Sequence, residues 1–160
     1  MRKYLLLFFL VSLGSTQAKE WQPPEEFLKA VCFVESSNGQ FVYGDSGRSL
    51  GDFQLSESAW MDVNNWRKAR RLRTYSYDRH VFNSFINRVY ASNYMSIIYA
   101  ELSRKLGRQP TPGEVYAAYN IGLGTFAQCN YKLHRVNAVT RQKCELITEL
   151  MVQLRDGTAS

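Results

Sequence analysis

From residue 38 to residue 55 the apolar side chains stop recurring every three or four positions, and this interruption constrains the fold more than any other feature. On either side of it the period is helical. Before it, Pro23, Pro24 and two acids suit a helix start, and Phe27, Leu28, Val31 and Val34 follow at helical spacing. After it, Ser56 reads as the N-cap of a helix through SESAWMDVNNW. Val81, Phe85, Val89, Ile98, Leu102 and Leu106 imply one long helix or two stacked ones from Asp78 to Leu106, closed by Gly107. Thr111 to Glu114, TPGE, form a capping box with proline at the first helical position. The VYAAYN that follows is interrupted by Gly122 and Gly124, and Thr140 is expected to cap a last helix through Leu154. The interruption itself holds Gly39, Gly44, Gly47 and Gly51 beside an FVY segment, which suggests a small hairpin and loops. The expected fold class is mainly α (α+β), a helical domain with a small β-hairpin and loop region. No repeat, low-complexity tract or linker divides it.

The N-terminus carries a different signal. Arg2 and Lys3 precede the apolar run YLLLFFLVSL, and Thr16 and Ala18 fit the small-residue rule for cleavage after Ala18. That run is half the roughly 20 residues a spanning helix needs. Residues 1–18 are therefore expected to be a signal peptide and 19–160 the working domain, secreted or periplasmic, with no integral membrane segment after cleavage. No cysteine sits at the cleavage point, which argues against a lipoprotein. At 160 residues and 45% hydrophobic, the chain can bury a core and is not a disordered polymer. Its net charge of +6 suits a polyanionic partner without choosing among cell wall, membrane surface and nucleic acid.

Export changes how the three cysteines are read. Cys32, in AVCFV, reads as a buried, inert thiol, while Cys129 and Cys144 bracket a polar loop and are the better candidates for a disulfide. His80 and His134 show no ligand spacing with the cysteines, so neither a metal nor a cofactor is expected.

The chemistry concentrates at the edge of the glycine-rich stretch. Glu35 ends the first helix, where the macrodipole and the apolar Val31, Phe33 and Val34 disfavour the ionised form, as a general acid requires. Asp45, inside GDSG, is flanked by glycines that expose amides and admit water, a setting that keeps a carboxylate ionised. Two carboxyl groups in opposed settings are the pattern of glycoside hydrolysis.

The segment ESS, followed by GDSGRSLGDFQL and later by AAYNIGLG (Ala117 to Gly124), resembles the goose-type lysozymes and bacterial lytic transglycosylases of the lysozyme-like superfamily. The resemblance runs from about residue 25 to residue 126. It implies a glycan cleft in which Glu35 protonates the glycosidic oxygen and Asp45 orients a water. Ser36 would hold the cleft wall or the acid, and Gln54, Tyr119 and Asn120 would hydrogen-bond or stack on N-acetylated sugars. The implied activity is cleavage of peptidoglycan at the β-1,4 bonds between N-acetylmuramic acid and N-acetylglucosamine, by a monomer. A lytic transglycosylase giving 1,6-anhydro products, or an inactive glycan-binding relative, are the alternatives. The position after Gly51 is usually apolar in this family, but here it is Asp52. Were the segment extended, Asp52 would share a face with Gln54 and become a second candidate for activating water.

The run WRKARRLR, Trp66 to Arg73, holds five basic residues and reads as a solvated helix face or an electrostatic dock for anionic wall polymer. No nucleic-acid-binding motif accompanies it, so nucleic acid is not an expected partner.

Overall fold

The computed structural model describes residues 20–158, so the expected signal peptide lies outside the described residues. The chain is mainly helical with one small three-stranded antiparallel sheet. In chain order the elements are α1 (Glu25–Ser36), β1 (Tyr43–Gly44), β2 (Ser49–Leu50), β3 (Leu55–Ser56), α2 (Glu57–Ala69), α3 (Tyr77–His80), α4 (Ser84–Leu106), α5 (Pro112–Ile121), α6 (Leu123–Gln128) and α7 (Ala138–Asp156).

Local signals set most boundaries. Ser56 caps α2 by accepting the Ala59 N–H, and Gly107 closes α4 in the left-handed conformation. The Thr111–Glu114 box is fully formed at the start of α5. Between Asp78 and Leu106 the chain makes one short helix and one long one, because Asn83 accepts the Ile86 N–H and restarts the helix as α4. The last helix is capped three residues earlier than expected. Asn137 accepts the Thr140 N–H, and Thr140 lies inside α7. The glycine-rich stretch forms a three-stranded meander rather than a single hairpin, with Tyr43 opposite Leu50 and Ser49 opposite Ser56.

Helix α5 is central. Gly113 to Ala118 are all buried, as expected of a helix packed on several sides, and α4, α6 and α7 surround it. Ala117 and Ala118 let those neighbours approach, and α1 leans on α7. A second part of the core joins α2 to α4, where Trp60 stacks on Tyr90 with ring centroids 3.9 Å apart. Its polar atoms are satisfied: Trp60 Nε1 donates to the Tyr75 carbonyl and Tyr90 donates to Asn64 Oδ1.

The cysteines depart from expectation. All three are free, so the Cys129–Cys144 bond is not formed. Cys144 is buried on the inward face of α7 against Gly113, whereas Cys129 ends α6 with its Sγ 3.5 Å from the Arg135 carbonyl oxygen. Cys32 is only half-buried. Burial, and then the charge of Asp52, push its thiol above the ordinary range.

Candidate active site

The end of α1, the sheet, the start of α2, Tyr94 on α4 and the α5–α6 junction enclose a cavity of about 400 Å³. Glu35, Gly44, Ser49, Gln54, Ser56, Tyr119, Asn120, Gly122 and Lys143 are among its lining residues. The glutamate side chain is 9% exposed. Its Oε1 accepts the Tyr116 hydroxyl at 2.5 Å, with Asn120 Nδ2 at 3.5 Å and Lys143 Nζ at 3.8 Å. All three contacts fall on the same oxygen. Oε2 takes no hydrogen bond from a described residue, nor is it among the buried atoms left without a partner.

The supporting groups are themselves fixed. Burial, and then the Glu35 charge, hold the Tyr116 phenol far above its ordinary range, so it is a permanent donor. Asn120 is oriented by Thr140, whose hydroxyl donates to Asn120 Oδ1 at 2.9 Å. Tyr119 is likewise kept neutral, by burial first and then by Glu35. Its hydroxyl is spent on the Phe53 carbonyl at 2.5 Å, which leaves the ring as what it can offer the cavity.

Gln54 is fixed by the loop. Its Nε2 donates to the carbonyls of Phe41 (3.1 Å) and Gly51 (2.8 Å). Its Oε1 packs onto Gly44, where a Cβ would stand 2.0 Å away. That oxygen is buried without a partner among the described residues. Gly51, at φ +79°, is required for a second reason: a Cβ there would stand 2.5 Å from the Val81 carbonyl oxygen.

Two expected residues stand elsewhere. Ser36 is buried and clamps the loop: its hydroxyl donates to the Asp52 carbonyl at 2.6 Å and accepts the Gly39 N–H at 2.8 Å. The Asp52 carboxylate faces Gly39, close to Cys32, and does not line the cavity with Glu35. The alternation argument fails because residues 51–54 form a turn, with Gln54 at φ +49°, instead of an extended strand. Asp45 directly follows the cavity-lining Gly44 and opens a short 3₁₀ turn; its side chain lies outside the described part of the structure.

Tyr116, Tyr94 and Lys143 escape the sequence reading. Tyr116 lies one helical turn before Tyr119 and was accessible to a spacing argument. Tyr94 belongs to an aromatic-rich segment whose helical spacing reads as core. Lys143 reaches the site only because α7 packs on α1, and no local pattern marks it.

Much of the basic run is used within the fold. Arg67 bonds the Arg73 carbonyl and Asn93, while Arg70 lies 3.9 Å over Trp66 and pairs with Glu20. Among the described residues no three His, Cys, Asp or Glu side chains gather as a metal site, and no helix is long and apolar enough to cross a membrane. Compared with protein-family models, curated proteins and solved structures, the chain matches none.

Proposed function

We propose that this chain is a lysozyme-like glycosidase that cleaves β-1,4 bonds between N-acetylmuramic acid and N-acetylglucosamine in peptidoglycan, outside the cytoplasm. Glu35 is its general acid. The observation that carries this reading is the asymmetry of the carboxyl group, which lines the cavity: Oε1 is held by Tyr116, while Oε2 takes no hydrogen bond from a described residue. Such a group is oriented by one oxygen and can deliver a proton from the other. As the proton passes from Oε2 to the glycosidic oxygen, negative charge develops on the carboxyl, and the Tyr116 hydroxyl stabilises it. Tyr119 offers a ring face to a sugar, and Asn120 and Ser49 add polar lining.

One observation favours the transglycosylase variant as a second reading. Among the described lining residues Glu35 is the sole carboxylate, and closure by the sugar's own C6 hydroxyl needs no second acid to activate water. Asp45 is the residue that would serve hydrolysis instead.

The test is digestion of purified peptidoglycan by the parent protein and by Glu35→Gln, with mass spectrometry of the product ends. The parent should release muropeptides, and the variant should lose about 10²–10⁴-fold or more in rate. Reducing ends identify hydrolysis and 1,6-anhydro ends transglycosylation. A variant as active as the parent removes Glu35 from the chemistry.

A further inference from the structure

Lys143 is not used by that mechanism, and its situation is unusual. The buried residues of α7, Thr140, Cys144, Ile147 and Met151, form its inward face, and Lys143 stands at the edge of that face one turn after Thr140. Its side chain is 33% exposed and lines the cavity. A lysine ammonium carries three N–H donors and no acceptor. The Glu35 oxygen, at 3.8 Å, is the one charged or hydrogen-bonding partner of its ammonium among the described residues, and that is beyond hydrogen-bond reach. A lysine kept as a counter-ion for Glu35 would close to the roughly 2.7–2.9 Å of a charge-assisted bond. This one stops about 1 Å short. Tyr116 and Asn120 both stand closer to Oε1 than Lys143 does, and the ammonium is left at the cavity lining with donors to spare.

We infer that Lys143 is a specificity-determining residue that binds a carboxylate carried by the muramyl sugar next to the scissile bond. This rests on the glycosidase reading above. Glu35 marks where the glycosidic oxygen must lie, so an anion within reach of Lys143 belongs to a sugar flanking that bond. Of the two sugars in the polymer, only the muramyl residue bears an acid, on its lactyl ether. In a strand stripped of stem peptides that group is a free carboxylate, directly on the ring. In a peptide-bearing strand it is an amide, and the first carboxylates lie further out along the peptide. If the lactyl group is the source, an amidase-class reaction must act first to supply the substrate.

The experiment uses the full chain and three soluble glycan preparations: peptide-free strands, the same strands with the lactyl carboxyl converted to its neutral methylamide, and peptide-bearing strands. For the parent, kcat/KM on one carboxylate-bearing preparation should exceed that on the neutral amide by about tenfold or more, mainly through KM. A preference for peptide-free strands assigns the lactyl carboxylate; a preference confined to peptide-bearing strands assigns the stem peptide. Lys143→Met should bring the ratio close to one, and Lys143→Arg should restore part of it. A general effect on Glu35 or on folding would lower all three rates together and leave the ratio intact, which would overturn the inference. So would a parent that does not distinguish charged from neutral strands. Equilibrium binding of the same strands to Glu35→Gln, with and without Lys143→Met, gives a readout free of turnover. An inactive parent sinks the glycosidase reading, while the charged-to-neutral affinity ratio still decides Lys143.

Discussion

Removing the Tyr116 hydroxyl tests the proton-donor geometry most directly. Tyr116→Phe keeps the ring and its place in the core, where Tyr116 is fully buried, and deletes one oxygen. The lost contact is the 2.5 Å bond to Glu35 Oε1. What remains on that oxygen is Asn120 at 3.5 Å and Lys143 at 3.8 Å, and neither replaces a short phenol bond. A hydrogen bond to a neutral group contributes about 0.5–1.5 kcal/mol and one to a charged group about 1.5–3 kcal/mol. On the proposed mechanism the Glu35 carboxyl passes from neutral to charged as it delivers its proton. Only the difference acts on the chemical step, about 1–1.5 kcal/mol, or about a 5- to 13-fold fall in kcat. KM should move little, because the phenol touches the acid and not the sugar. The assay is the initial rate of end-group release from purified peptidoglycan, with the thermal midpoint and near-ultraviolet circular dichroism of the variant as controls. A folded variant with kcat within twofold of the parent would refute the reasoning, because a neutral donor on Oε1 would then contribute nothing to charge development.

Glu114→Gln should lower the thermal midpoint near neutral pH. Burial raises the Glu114 carboxyl, but hydrogen bonds from Arg108 and the Thr111 N–H outweigh it and hold the group below the usual carboxylate range. A carboxyl lowered in the folded state stabilises above its unfolded pKa of roughly 4.3 and loses that contribution as pH falls through the folded value. The midpoint difference between parent and variant should therefore shrink on acidification below about pH 4, and a difference that persists at pH 2 would contradict the linkage. Gly44→Ala places a Cβ 2.0 Å from Gln54 Oε1, so the amide must release its bonds to Phe41 and Gly51. At about 0.5–1.5 kcal/mol each, the cost should be about 1–3 kcal/mol, read from urea midpoints, together with weaker glycan binding.

Elements that depend on their own residues were legible in the sequence. The Thr111–Glu114 box, the Ser56 cap and the Gly107 stop are local signals, each satisfied within one turn, and each appears where its residues predict. Thr140 failed as a cap because Asn137, three residues earlier, offers the same acceptor, and the Thr140 hydroxyl is then free to orient Asn120. Asp52 failed as a partner of Gln54 because strand alternation was assumed for residues that turn. The glycines that signalled a loop also permit backbone angles for which no period-2 argument holds. The disulfide was inferred from a loop bracketed in sequence, yet Cys144 faces α5 and Cys129 ends α6, a difference set by helix packing.

The acid itself shows where neighbour-based reasoning stops. Val31, Phe33 and Val34 precede Glu35 in sequence, but Phe33 and Val34, two and one positions away, do not share its face, and only Val31, one turn back, does. Val31 is fully buried in the core and Phe33 is 45% exposed, so these residues do not form the wall of the cavity. The donors that orient Glu35 come instead from α5, 81 and 85 residues further along the chain. The setting of the Glu35 carboxyl is thus a property of how α5 and α7 pack on α1, and it is polar where the sequence suggested an apolar sheath. Thr140 illustrates the consequence: it lies on α7 and bonds not Glu35 but the Asn120 amide, which it fixes at the edge of the carboxyl group. Substitutions along the α5–α7 contact should therefore act on turnover through the orientation of Oε1, even when α1 and the glycine-rich loop are left unchanged.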